Sequence, residues 1–442
     1  MSSLKNILLN IPLEREALTT NTTSLTYGDL QNIINKNASK TKKLKKSSVV
    51  INARDRFEFA KLLFLLDGEV HNILFLPHDI NKLLHSRYFN EAGVNYEVYL
   101  ENNILQYKTI KKADKESDAK ETNWIIPTSG TTSSPKLVAH TFQSLTRSTK
   151  VNIETGSRYR WGLVFDIYRF SGIQVFLQAM LSGSTLIISE ADMPMSEILN
   201  NIIKNRCNAL SATSSFWRKV LMSKEIERLN FELITLGGEI ADENILQALK
   251  DKFPNAKIVH IYASTEAGVG FSVSDGHAGF PKSYIDSSIN GISLKLSARN
   301  TLMIKNEKQI QKYLTNNDLY QNDGYIDTGD IIEIKGDRVY FLGRDSGSIN
   351  VGGNKVLPEE VEHTLLGSNF VHAAFVYPKK NPIIGNIVCA DVVLKDNTVD
   401  IKSAKSEILR YCRKKLENYK VPAMIKFVDE LETTQSTKLK RN

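Results

Sequence analysis

The chain has 442 residues, 41% of them hydrophobic and 24% charged, and a formal net charge of +8. That length asks for two or three domains of about 100–200 residues, and the composition is ordinary for a globular enzyme. The longest apolar run, near Lys61 to Leu66, falls far short of the roughly 20 residues that cross a bilayer, and the opening MSSLKNILLNIPLERE carries acids where a signal peptide has none. The expectation is a soluble, cytoplasmic protein with no membrane partner.

Cys207, Cys389 and Cys412 are odd in number, far apart and without C-x-x-C spacing, which argues against disulfides and a structural zinc site. The positive balance raises the question of nucleic acid, since KTKKLKK (Lys40 to Lys46) and the tail KLKRN concentrate basic residues. No nucleic-acid-binding motif accompanies them. They read as solvated segments, in a chain whose charge also suits an anionic nucleotide.

In chain order, TYGDLQNIINKNAS has helical periodicity, SSVVINA is a short β-branched strand, and EFAKLLFLLDG is a second helix that stops at Gly68. HNILFLP (His71 to Pro77) is another strand, and KKADKESDAKE (Lys111 to Glu121) is a polar loop with nothing to bury. NWIIPT then reads as a buried strand. The middle of the chain continues the alternation, and GSTLIIS, NALSATSSFWRKVL, FELITLGGE and AKIVHIYASTEAG each give a β-rich run followed by glycine or hydroxyl residues. Strand, turn and helix in repetition imply an α/β layered sheet with ligand loops at the strand ends. From about Arg344 the pattern shifts to short strands with two helical stretches, EEVEHTLLG and AKSEILRYCRKKLENY, within about 100 residues, as in a small α+β domain.

Directly after Trp124-Ile125-Ile126 comes PTSGTTSSPKLVAHT, with seven Ser and Thr residues around one Gly and one Lys. Small residues offering backbone N–H groups and hydroxyls make a cradle for phosphate oxygens, and a lysine adds a point charge. The G-x-x-x-x-G-K-[ST] loop that opens a helix does not fit, because no second glycine precedes Lys136 and Pro135 is unsuited to a helix interior.

The stretch resembles the phosphate loop T-S-G-T-T-G-x-P-K of the adenylate-forming superfamily, the AMP-dependent synthetases and ligases that include acyl-CoA synthetases, peptide-synthetase adenylation domains and luciferases. Four further stretches match the same superfamily in order. IYASTEAG resembles Y-G-x-T-E, and DGYIDTGDI resembles G-[YW]-x-x-T-G-D. FLGRDSGSINVGGNKVLPEEVE resembles the segment around G-R-x-D, and TTQSTKLKR resembles T-x-S-G-K-[IVL]-x-R. The resemblance implies a large N-terminal layered α/β domain over residues 1–344 and a small mobile C-terminal α+β domain over residues 345–442. It also implies activation of a carboxylic acid by ATP and Mg²⁺ to an acyl adenylate, followed by transfer to a thiol of coenzyme A or of a separate carrier protein.

Residue by residue, the resemblance assigns Thr128, Ser129, Gly130, Thr131, Thr132 and Lys136 to the β- and γ-phosphates. Glu266 falls to Mg²⁺, a hard cation that takes carboxylate and phosphate oxygens, and Thr265 to the α-phosphate. Tyr262 would stack on adenine beside the backbone of Gly238 and Glu239, while Asp330 and Arg344 would hold the ribose. Lys438 would bridge the carboxylate and the α-phosphate in the first half-reaction. Asp345 and Ser346 would form a hinge about which the small domain rotates, bringing Gly352 and Gly353 to the thiol entrance.

The acyl pocket is expected between the phosphate loop and Glu266, at a gate near Tyr168, Arg169 and Phe170 with Gly172 behind, and with Ser211, Thr213, Gly237, Ile261 and Ala263 as wall. Arg169 either suits a polar or acidic acyl group or pairs with Asp166 as a structural ion pair. Asp166 raises amino-acid activation as an alternative, although its spacing to Gly183 is about one helical turn (3.6 residues) too long. A further alternative is a regulator that binds nucleotide without turnover. Departures from the pattern stand at Ser133, Ala263 and Thr437, each in place of glycine, and at Ser346 and Asn350; the region before residue 124 is shorter than in many members.

Overall fold

The computed structural model describes residues 3–112, 121–128, 135–190, 192–289, 291–306, 312–314, 323–381, 385–396 and 400–431. The hydroxyl-rich residues Ser129, Gly130, Thr131, Thr132 and Ser133, the tail with Thr437 and Lys438, and most of the polar stretch after Lys112 lie outside them.

The alternation read from the sequence becomes an eight-stranded sheet. Its central strands Thr185–Ile188, Arg160–Leu163, Ala209–Ala212, Leu233–Gly237 and Lys257–Ser264 lie side by side and parallel, and helices Phe170–Leu181, Met195–Lys204, Ser214–Met222 and Glu243–Lys252 connect successive strands. Two of these strands, Thr185–Ile188 and Ala209–Ala212, are buried at every residue, as expected of parallel strands covered on both faces. One face packs Leu210, Ile234 and Leu236 against Leu199, Phe216, Ile245 and Leu249 of the helices.

The N-terminal segments build a second, seven-stranded sheet in which Ser48–Ile51, Asn72–Leu74 and Asn123–Pro127 are parallel neighbours. Helix Arg56–Leu66, buried at every residue, belongs to a core that both sheets share. Helix Tyr27–Lys43 begins with a capping box, in which Thr26 accepts from the Asp29 N–H while the Asp29 carboxylate accepts from the Thr26 N–H. That arrangement stabilises a helix start by about 0.5–2 kcal/mol. Among the described residues no helix is long and apolar enough to cross a membrane.

A third sheet holds the antiparallel hairpin Ile326–Lys335 and Arg338–Arg344. After the 3₁₀ turn Asp345–Gly347 the chain enters a sheet of its own, with strands Ile349–Val351, Asn354–Val356, Val371–Asn381, Gly385–Leu394 and Met424–Phe427. Helices Pro358–Leu366 and Ile401–Lys415 cover it, and its core of Val356, Val361, Val376, Val392 and Ile408 is drawn from this segment alone. Cys207, Cys389 and Cys412 are free and buried, in line with the absence of disulfides expected from their spacing.

Candidate active site

The strands Asn123–Pro127 and Leu137–Thr141, on either side of the hydroxyl-rich segment, pair antiparallel with Pro127 opposite Leu137. Thr128 closes its base: its N–H donates to the Lys136 carbonyl at 2.8 Å, and its Oγ1 accepts from the Lys136 N–H at 3.2 Å. The lysine leads into a strand, so the phosphate loop that opens a helix is excluded by geometry as well as by spacing. Tyr88 fixes the other side, donating its hydroxyl to the Pro135 carbonyl at 2.8 Å.

Thr265 and Glu266 occupy the turn between strands Lys257–Ser264 and Gly268–Val273. Ser264 Oγ accepts from the Ala267 N–H at 2.9 Å, and Gly268, the first residue of the following strand, takes φ 71°, a left-handed conformation that favours glycine. Behind them lies His140, completely buried and hydrogen-bonded to the backbone of Thr265. This imidazole ties the strand that ends the phosphate hairpin to the Thr265 turn. Burial pushes its pKa down to about 3.

Asp330 and Arg344 face each other across the third sheet's hairpin. Arg344 Nε donates to Asp330 Oδ1 at 2.8 Å, and Tyr262 donates its hydroxyl to Asp330 Oδ2 at 2.5 Å. Burial and the Asp330 carboxylate together raise the Tyr262 phenol well above its ordinary range, and Asp330 raises the Arg344 guanidinium against the opposing effect of burial. The Tyr262 ring expected against adenine is in near-parallel contact with Phe271 and Phe341, at centroid distances of 5.3 and 4.9 Å.

These groups converge on one cleft of about 2150 Å³ that also reaches the small domain. Thr128, Arg169, Phe170, Gly237, Gly238, Glu239, Tyr262, Ala263, Thr265, Glu266, Asp330 and Arg344 line it. Glu239 is fixed by accepting the Ser215 N–H at 2.8 Å, at the start of helix Ser214–Met222, where the helix dipole favours a carboxylate. Glu266 presents a partly exposed carboxylate to the cleft, and the described residues hold no cluster of three or more His, Cys, Asp or Glu. A hard oxygen donor that lines the cleft fits Mg²⁺, which fills its shell with phosphate oxygens and water.

Three gate and wall residues are corrected. Tyr168 is 2% exposed and packs behind the wall against Phe59, with ring centroids 4.1 Å apart. Gly172 lets helix Phe170–Leu181 approach the Asp166 backbone, where a Cβ would lie 2.2 Å from the Asp166 carbonyl oxygen. Thr213 caps helix Ser214–Met222, its hydroxyl accepting from the Phe216 N–H at 3.1 Å. Arg169 lines the cleft but is held by Asp79 at 2.6 Å, with Asp166 at 3.5 Å. The partner 90 residues away in sequence, Asp79, is one the local pattern gave no means of finding.

In the small domain Gly352 and Gly353, at φ 58° and 89°, form the two-residue turn between Ile349–Val351 and Asn354–Val356, and Asn350 Oδ1 accepts from the Gly353 N–H at 2.9 Å. They do not line the cleft in this arrangement. Asp345 is bonded to Lys355 at 2.8 Å and faces Arg299 of the large domain at 3.7 Å. Ser346 lies in the 3₁₀ turn beside it.

Asp330→Ala is expected to raise the KM for ATP about 10²-fold, since charge-assisted hydrogen bonds contribute about 1.5–3 kcal/mol each and 1.4 kcal/mol is about tenfold. ATP titration of acid-dependent pyrophosphate exchange reads this. A KM within about threefold of wild type would show that the ribose is not held here.

Residues 81–301 match the family model for the AMP-binding enzyme, and residues 360–438 match that for the AMP-binding enzyme C-terminal domain. The 2-succinylbenzoate--CoA ligase of Bacillus pumilus is 27% identical over 360 residues, covering 76% of this chain and 71% of that protein. Among solved structures, the anthranilate CoA ligase in complex with anthranoyl-AMP superposes with a TM-score of 0.79 at 18% identity, covering 99% of this chain and 95% of the other. The o-succinylbenzoate coenzyme A synthetase of Bacillus subtilis, in complex with ATP and magnesium ion, superposes with a TM-score of 0.70 at 20% identity, covering 99% and 98%. The first match alone takes in the gate, the phosphate hairpin and the Thr265-Glu266 turn, and the second extends to Lys438: the chain belongs to the AMP-binding enzyme family.

Proposed function

We propose that this protein is an ATP-dependent acid–coenzyme A ligase. A carboxylate oxygen of the substrate attacks the α-phosphorus of ATP, the bond to the β-phosphate oxygen breaks, and pyrophosphate leaves. The thiolate of coenzyme A then attacks the acyl carbon of the adenylate, and AMP leaves. The observation that carries this reading is the meeting, in one cleft, of the Thr128 hairpin base, the Thr265-Glu266 turn and the Tyr262–Asp330–Arg344 cluster. The match to a ligase of the same chemistry supports it.

In this reading Asp330 and Arg344 bind the sugar and so fix the α-phosphorus relative to the acyl pocket. Thr265, held by His140 from behind, orients its hydroxyl at the reacting phosphate. Glu266 would hold Mg²⁺, which when bound neutralises phosphate charge as it shifts to the leaving group. Lys136 and the residues Ser129 to Thr132 bind the leaving pyrophosphate, and Lys438 orients the attack. The small domain turns about Asp345 and Ser346 between the half-reactions, exchanging Lys438 for Gly352 and Gly353 at the cleft.

Asp166 does not line the cleft; it lies 4% exposed beside Arg56 and Arg169, which withdraws the aspartate on which the amino-acid-activating alternative stood. The test is a pyrophosphate-release screen over aryl, hydroxy, small and amino acids, followed by mass detection of thioesters with coenzyme A and with a carrier protein. Release with at least one acid, and a coenzyme A thioester from it, are expected. Tight ATP binding with no release from any acid would favour the regulator instead.

A further inference from the structure

Helix Ser214–Met222 of the large domain grips the segment that runs on from Gly238, where the adenine wall is expected. The Ser215 N–H donates to the Glu239 carboxylate at 2.8 Å, Ser214 Oγ donates to the Ile240 carbonyl at 2.9 Å, and Arg218 forms an ion pair with Asp242. On its buried side the Trp217 indole donates to the Thr235 carbonyl at 3.1 Å, and Phe216 and Trp217 pack into the core. The helix is thus fixed to strand Leu233–Gly237 and to the residues that leave it.

Lys219, the residue after Arg218, reaches the small domain. Its Nζ donates to Glu430 Oε1 at 2.5 Å and to the Leu431 carbonyl at 3.5 Å, and Lys219, Glu430 and Leu431 all line the cleft. Strand Met424–Phe427 has ended by then, and the Val428 N–H makes the last bond to its sheet, to the Val392 carbonyl at 3.0 Å. Beyond it, the bonds that hold Glu430 and Leu431 among the described residues are those from Lys219. Lys438 stands seven residues after Leu431 and ten after Val428. An anchor at Leu431 therefore shortens the tether to Lys438, and a shorter tether raises the effective concentration of the group it carries.

We propose that Lys219 is a positioning residue for the first half-reaction: it fixes the root of the segment that carries Lys438 against the helix that also fixes the adenine wall. One rigid element then sets the attacking end and the nucleotide relative to each other. This arrangement of the domains suits that step, since Asp429, Glu430 and Leu431 line the cleft while Gly352 and Gly353 do not. When the small domain turns for thiol transfer, Glu430 moves with it and the Lys219 contacts break. The second half-reaction gains nothing from them.

The inference rests on the acid-activating reading, with Lys438 serving the first half-reaction, and the experiment separates the two. Pyrophosphate exchange is measured with the most active acid of a panel of benzoate, 4-phenylbutanoate, octanoate, lactate and alanine. Thioester formation is measured separately, from the chemically prepared adenylate of that acid and coenzyme A. Lys219→Glu, which sets a carboxylate against Glu430, is expected to slow exchange at least about tenfold, the size of a lost ion pair and hydrogen bond with repulsion added. Thioester formation should stay within about twofold of wild type. Lys219→Arg is expected to retain exchange, and Lys219→Glu combined with Glu430→Lys to recover it to within about threefold, as direct contact between the two side chains requires. Unchanged exchange in Lys219→Glu, or equal losses in both half-reactions, would overturn the positioning role while leaving acid activation standing. No exchange by wild type with any acid of the panel would overturn both.

Discussion

Glu266→Gln is expected to lower acid-dependent pyrophosphate exchange by about 10²–10³-fold, the loss typical when one electrostatic group at a developing charge is removed. The substitution keeps the side chain's shape and removes only its charge. Glu266 makes no hydrogen bond or salt bridge among the described residues, and it sits in a hairpin turn whose geometry is set by Ser264, Ala267 and Gly268. The melting temperature should therefore change little, so the kinetic loss reads chemistry rather than folding. The Mg²⁺ concentration for half-maximal rate should rise as well, because an amide oxygen is a weaker partner than a carboxylate for a hard dication. A rate within about fivefold of wild type, with an unchanged Mg²⁺ requirement, would remove Glu266 from the metal site.

Elements with strong local signals were legible in the sequence. The β-branched runs before glycine or hydroxyl residues became the parallel strands, and the change of pattern at Arg344 coincides with the passage to a separate sheet at Asp345–Gly347. The residues proposed to face ATP come from short contiguous motifs, and Thr128, Tyr262, Thr265, Glu266, Asp330 and Arg344 among them line one cleft. The acyl pocket was less so, and the reason is geometric. Tyr168 lies two residues before Phe170, the first residue of its helix, yet it packs inward on Phe59 while Phe170 lines the cleft. Arg169 is neutralised by Asp79, and the Tyr262 ring is stacked by Phe271 and Phe341; each pairing joins residues from different elements.

The second large effect is on stability in acid, and it comes from His140. Its folded pKa of about 3 lies below the unfolded value of about 6.5, because the buried site disfavours the imidazolium. The unfolded chain thus binds the proton more tightly, so the stabilising contribution is complete above pH about 6.5 and is lost progressively as pH falls toward 3. At 1.36 kcal/mol per unit the full loss is about 5 kcal/mol, of which about 2–3 kcal/mol falls between pH 6.5 and 4.5. Asp67 acts in the opposite sense: burial raises it to about 6, so its contribution grows as pH falls from 6 toward 4. Wild type alone would blend the two. His140→Phe separates them, since it removes the titrating ring and the neighbouring Phe170, with its centroid 5.5 Å away, offers an aromatic contact. Denaturant midpoints at about pH 7.5 and 4.5 should show wild type losing about 2–3 kcal/mol more than the variant. Equal losses would mean that His140 protonates in the folded state as easily as in water. If the loss is as expected, the Thr265 turn and the phosphate hairpin are joined by an imidazole that stays neutral wherever the enzyme is folded, so the pH dependence of adenylation must come from other groups.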